Sequence, residues 1–195
     1  MPSRNSRCAA FLVTAALGLA TVSVRSEEQG GGPAPSPRSS ELLRQLDAED
    51  LYEQQLAFVR LEALREPATL TAIKPYLAHR DPDTRSYAVR ALGAIGGISE
   101  VPTLLEVLRT DHHPRVRRAA LLALEPIQQA DPEILPAFLK ALRDRKPEVR
   151  IAAVDIVSRI DDPRAREAIR TRYTRERDRD VRRVLTEAIK RVGNP

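Results

Sequence analysis

Apolar side chains recur along this chain at helical spacing, and the helical pattern itself recurs at a longer period. The register mark of that longer period is an arginine, Arg85, Arg117, Arg150 and Arg182, at intervals of 32, 33 and 32 residues. Three residues after it stand Ala88, Ala120, Ala153 and Leu185, and six and seven after it come Ala91 and Leu92, Ala123 and Leu124, Ile156 and Val157, and Ala188 and Ile189. Ten after it are Ile95, Ile127, Ile160 and Val192. Offsets of this kind place the side chains on one broad stripe of a helix, a core face. The alanines at its centre leave room for a second helix to approach closely. A weaker copy fits the same frame, with Gln54 in the arginine's place followed by Ala57, Leu61 and Leu64.

A second amphipathic stretch precedes each of these helices, as in Val101 to Leu108 and Ile134 to Leu142. Each unit therefore reads helix A, tight turn, helix B, and about five units are present. A repeat of this length cannot bury its apolar face alone and does so by stacking on its neighbours, which makes the chain a helical solenoid. No stretch alternates with period two, so the pattern predicts an all-α fold without a sheet. The turns carry start and stop signals: Asp81-Pro82 ahead of one B helix, Asp131-Pro132 and Asp162-Pro163 ahead of two A helices. An aspartate accepts hydrogen bonds from free N-terminal amides, and a proline at the first helical position lacks the N–H that would be unpaired there. Gly96-Gly97 and Gly193 read as helix stops.

The segment DPDTRSYAVRALGAIGGISEVPTLLEVL, residues 81–108, resembles HEAT repeats, in particular the short bacterial kind named after phycobilisome lyase subunits. The resemblance covers residues 41–193 and implies a right-handed α-α superhelix of about five helical pairs, a domain of residues 41–195 whose B helices line a concave surface. Its specificity is high for fold and low for function, since unrelated functions share such folds. The family often places an aspartate four residues before the arginine; here that position holds Asp81, His113, Lys146 and Asp178. The two middle turns instead offer Asp111 and Asp144, six before it. The resemblance implies a non-enzymatic scaffold or adaptor for a protein or peptide. The alternative is an accessory factor, similar to the lyase subunits, acting on a client protein's prosthetic group.

Ahead of the repeats, Arg4 and Arg7 precede an uncharged run from Cys8 to Val24, closed by Arg25. A basic start followed by a short apolar core predicts a secretory signal peptide over residues 1–26, cleaved after Ala20 or Ser23, or else an uncleaved anchor. The protein is expected outside the cytoplasm, and on the membrane only if the leader stays attached. Residues 27–40, EEQGGGPAPSPRSS, are nearly free of apolar side chains and read as a mobile tether.

Composition narrows the chemistry. Cys8 is the only cysteine, so the mature protein has no thiol. The net charge of +5 includes three leader arginines, which leaves about +2 after cleavage. Residues 164–183 hold nine arginines, but also Glu167, Glu176, Asp178 and Asp180 at helix spacing, and one aromatic residue, Tyr173. That composition fits a solvated terminal cap, with pairs such as Glu167 and Arg170, better than a nucleic-acid surface. His79, His112 and His113 lie in turns without the spacing of metal ligands, and the repeated His-Glu dipeptides of helical-repeat metalloenzymes are missing. No nucleophile elbow or phosphate loop is present either, so neither catalysis nor a cofactor is expected.

What remains is surface. The regular spacing of Arg85, Arg117, Arg150 and Arg182 points to a structural ladder between units rather than to ligand contacts. Beside it, four after the arginine, run Phe58, Val89, Leu121, Val154 and Thr186; five after it, Val59, Arg90, Leu122, Asp155 and Glu187; one after it, Gln55, Ser86, Arg118, Ile151 and Arg183. Leu121, Leu122 and Ile151, rimmed by Arg90 and Arg118 and extended to Arg183, form the candidate protein-binding patch. The first unit, with Leu42, Leu43, Leu46, Leu51 and Leu56, has no polar cap beyond the tether, which predicts self-association through that face.

Overall fold

Five helix pairs follow one another in a computed structural model that describes residues 34–193. Residues 1–33, which hold the leader and most of the tether, lie outside the described residues, as do the last two. The first pair is α1 (Pro37–Gln45) and α2 (Leu51–Leu64). In the second, the A element is a chain of short pieces, a 3-10 turn Pro67–Thr69, α3 (Leu70–Ile73) and a 3-10 turn Lys74–Ala78, followed by α4 (Pro82–Gly96). Pro67 and Pro75 explain that irregularity, because each removes a backbone donor and tightens the local turn. The remaining pairs are α5 (Val101–Thr110) with α6 (Pro114–Leu124), α7 (Ile134–Ala141) with α8 (Pro147–Val157), and α9 (Pro163–Arg175) with α10 (Arg179–Val192). Among the described residues the regular structure is entirely helical.

Two of the three announced Asp-Pro caps form and one cap is added; Asp131 instead accepts the Glu133 N–H at 2.8 Å in the turn ahead of α7, which has no side-chain cap. Asp81 accepts the Thr84 N–H, Asp162 the Arg164 N–H and Asp178 the N–H groups of Asp180 and Val181. Gly97 follows α4 at φ +53, a conformation that costs glycine little. The repeat domain begins earlier than residue 41: α1 starts at Pro37, with Ser36 as its N-cap. Residues that read as linker are thus a cap serine and an N1 proline. Glu66 holds them in place, accepting the Ser36 N–H at 2.6 Å, the Ser36 hydroxyl at 2.9 Å and the Ser39 hydroxyl.

B helices form the spine. α2 packs on α4, α4 on α6, α6 on α8 and α8 on α10, and the A helices flank them. Ala88, Ala120, Ala153 and Leu185, three after the register position, are completely buried. α4 and α6 approach closely: a Cβ added to Gly93 would lie 2.6 Å from Cβ of Ala123. Phe58 and Tyr76 pack edge to face, ring centroids 5.3 Å apart, between the first two units. Residues 82–110 are long and apolar enough to cross a membrane by length and composition alone. Here they fold as α4 and α5, divided at Gly97, with much of their apolar surface in the core.

Each B helix gives one side to the preceding unit and the other to the following one. The side toward the preceding unit carries the positions one before and six after the arginine. These are Thr84 and Ala91, Val116 and Ala123, Val149 and Ile156, Val181 and Ala188, all buried except the half-buried Ala123. In the first unit the same two positions are Glu53 and Arg60, both exposed. The side toward the following unit carries the position four after, filled by Phe58, Val89, Leu121 and Val154 and buried throughout, until the last unit puts exposed Thr186 there. Both ends of the array are therefore polar caps, as solenoids require. Of the leucines expected to leave the N-terminal face apolar, Leu42 and Leu46 are buried in the core shared with α2 and α4, Leu43 and Leu56 are half-buried, and Leu51 is 44% exposed.

Candidate functional site

Three of the four register arginines form a continuous ladder. Arg85 grips Asp111 with two hydrogen bonds, Nε to Oδ2 at 2.9 Å and Nη2 to Oδ1 at 3.1 Å. Arg117 grips Asp144 in the same way at 2.8 and 2.6 Å, and Arg150 grips Glu176 at 2.9 and 3.1 Å. The remaining amino group of each arginine donates to a carbonyl six residues earlier, that of His79, Asp111 or Asp144. Each carboxylate also accepts a backbone N–H two residues on, from His113, Lys146 or Asp178. One turn residue thus serves two units, its carbonyl facing its own arginine and its carboxylate the previous one. The acid stands six before the next arginine, and so the two middle units keep the ladder although His113 and Lys146 replace the family's usual aspartate four before it. Glu176 belongs to the ladder although the sequence reading did not assign it; its place six before Arg182 is the signal that identifies it.

The fourth rung differs. Arg182 is exposed and, among the described residues, forms no ion pair. Its Nη1 reaches the Glu176 carbonyl at 3.3 Å and its guanidinium lies 5.1 Å from the Tyr173 ring centre. Among the described residues no acid stands opposite it as Asp111, Asp144 and Glu176 stand opposite the others. Gln54 closes the ladder at the other end without charge, donating to the Leu46 carbonyl at 2.6 Å and accepting the Thr84 hydroxyl at 2.9 Å.

Burial alone would raise the Glu176 carboxyl, but the Asp178 N–H and the Arg172 and Arg150 guanidinium groups outweigh it and hold it at about 2. Burial likewise pushes the Asp111 and Asp144 carboxyls up, but the paired arginine and a turn N–H outweigh it and hold both below the usual value. A carboxylate whose folded value is depressed stabilises the fold fully above its unfolded value and loses that contribution as pH falls toward the folded one. Stability should therefore be level above about pH 5 and fall steadily between about pH 4.5 and 2. Urea denaturation across that range tests this; a Glu176→Gln chain should show a shallower fall.

The B-helix face away from the core is the candidate recognition surface. Leu122 is 39% exposed and Arg118 is exposed, with no ion pair among the described residues. Ile151 is half-buried, and Arg183 is exposed at the far end. Arg90 is exposed but engaged, 3.0 Å from Glu62 of the first unit. Leu121 does not belong to this surface: it is completely buried, because the column four after the arginine packs between successive B helices. Leu122, Arg90, Glu62 and Pro126 line a pocket of about 380 Å³ between α4 and α6. Two residues of the first unit extend the apolar surface: Val59, in the same column as Leu122, at 40% exposure, and Tyr52, which sequence reasoning left out, at 71%. Charge links cross between units on this face, Asp83 with Arg115 at 2.7 Å and Glu125 with Arg159 at 2.7 Å, and leave Leu122 between them.

The other candidates have local roles. His113 caps α6 through Nδ1, and His79 Nδ1 accepts the Asp81 N–H at 3.2 Å. In the arginine-rich segment, Arg164 pairs with Asp162, Arg166 with Asp161 and Arg172 with Glu176. The expected Glu167 and Arg170 pair does not form; Arg170 donates to the Gly193 carbonyl and Glu167 accepts the Thr171 hydroxyl.

A family model described as HEAT repeats matches residues 39–125 and 101–190. Among solved structures, the chain is similar to one of the complex of CpcE and CpcF of phycocyanin lyase from Nostoc sp. PCC7120. The two are 21% identical with a TM-score of 0.61, and the similarity covers 77% of this chain and 96% of that one. At that identity the likeness is one of fold. No curated protein matches the sequence.

Proposed function

This chain belongs to the HEAT repeat family, and we propose that it is a non-enzymatic scaffold that receives a protein or peptide partner on its B-helix face. The observation that carries this reading is Leu122: a leucine exposed at the middle of a stacked array, beside Arg118, in a row where every structural demand is already met. An apolar centre with an arginine rim is the composition of a binding hot spot. The basic start and uncharged run of residues 4–24 support export, so the partner would be met outside the cytoplasm.

The test is capture from the native envelope fraction with the full chain as bait. Leu122→Asp with Arg118→Glu should lower recovery of the specific partner about tenfold or more, the loss expected on truncating a hot spot. Arg44→Glu, exposed on the A helix of the first unit, should leave recovery unchanged. Equal recovery by the doubly changed chain would remove this surface from consideration. Action on a client's prosthetic group, the second reading, would show instead as a change in chromophore content of the captured protein.

A further inference from the structure

The A-helix side holds an open groove of about 840 Å³ between α5 and α7, larger than the pocket at Leu122. Its floor is apolar, with Leu108, Ala137 and Ala141 contributing. Around it stand Lys140, Arg143 and Arg145, all exposed, and none forms an ion pair among the described residues. Arg145 is aimed across the unit boundary, its Nη2 donating to the His112 carbonyl of the preceding unit at 2.9 Å. The acids at the same edge are already committed, Asp111 to Arg85 and Asp144 to Arg117, which leaves Glu133 as the carboxylate on the opposite side. The helix dipole accounts for a cation at the end of α7, but not for three of them around an apolar trough.

We infer that this groove is a second binding site, one that takes an acidic amphipathic peptide segment of a partner protein. Apolar side chains of the segment would fill the trough over Ala137 and Ala141, and its carboxylates would meet Lys140, Arg143 and Arg145. An open groove along two helices suits a chain better than a compact ligand, and carboxylates suit guanidinium groups that present paired donors. The site lies on the opposite helices from the B-helix face and does not depend on that assignment. Two faces with different chemistry would let one scaffold hold two partners.

Fluorescence anisotropy with the full chain tests this, using three labelled peptides that share one pattern of leucines and carry Glu, Gln or Lys between them. The Glu peptide should bind, and more weakly as salt rises, since the charges that hold it are exposed and screened. Lys140→Glu with Arg143→Glu should weaken it by about tenfold or more, and Lys140→Gln with Arg143→Gln by less. Arg118→Glu should not change it. Both groove substitutions are on exposed side chains outside the ladder, so melting temperature should stay within a few degrees. The inference is overturned if the Gln peptide binds equally well, if the Glu substitutions leave binding intact, or if Arg118→Glu abolishes it. A single-stranded oligonucleotide that displaces the Glu peptide at lower concentration than the unlabelled peptide itself would overturn it too.

Discussion

Arg117→Ala should destabilise the solenoid by about 3 kcal/mol, while Arg182→Ala should cost less than about 0.5 kcal/mol, although the two arginines occupy the same place in the repeat. The difference lies in what each leaves behind. Arg117 is buried, bridges two units and satisfies both oxygens of Asp144, whose own side chain is 14% exposed. Removing it strands a charge and frees the Asp111 and His112 carbonyls in one step. Arg182 lies at the open end, hydrated, with a single carbonyl contact and a tyrosine face. Urea denaturation at neutral pH measures both. A paired change, Arg117→Met with Asp144→Leu, should recover most of the loss, because a buried ion pair contributes little over a well-packed apolar pair of similar volume. Equal costs at the two arginines would mean that the ladder is not what holds neighbouring units in register.

The architecture is readable from the sequence because a solenoid is nearly one-dimensional: spacing along the chain is spacing in the stack. The rows at three, six and seven after the arginine became the core, and Asp81, Asp162 and Gly97 became the caps they resemble. Where the reading failed, the missing information was always the identity of the neighbour. Leu121 and Leu122 are adjacent in sequence and equally apolar, yet a hundred-degree step around the helix puts one between α6 and α8 and leaves the other 39% exposed. Ser36 and Ser39 look like linker until Glu66, in the next turn region, collects their hydrogen bonds. Arg90 looks free until the first unit supplies Glu62. The groove between α5 and α7 has no sequence signature, since its floor and its cations come from different helices and are united only by stacking.

A chain ended at Ile160, without α9 and α10, should lose its cooperative melt and associate in a concentration-dependent way. Val154, completely buried between α8 and α10, would face water, at a cost of roughly 1.5–3 kcal/mol for a side chain of that size. Arg150 would lose Glu176 as well, and with it the last rung of the ladder. The uncovered face would match the side that every interior unit offers to its follower, so a second chain could add to it. Unit five shows what prevents this: at the equivalent positions it carries Arg183, Thr186 and Lys190, all exposed. Copying that set onto the shortened chain as Ile151→Arg, Val154→Thr and Ser158→Lys should return it to a monomer with a cooperative, lower melting transition. Sedimentation mass against concentration separates the two chains. If the shortened chain with its natural residues sedimented as a monomer, the end residues would be incidental and the length of the array would be set by something other than its caps. If neither chain were monomeric, the last unit would be part of the folding core and no polar substitution could stand in for it.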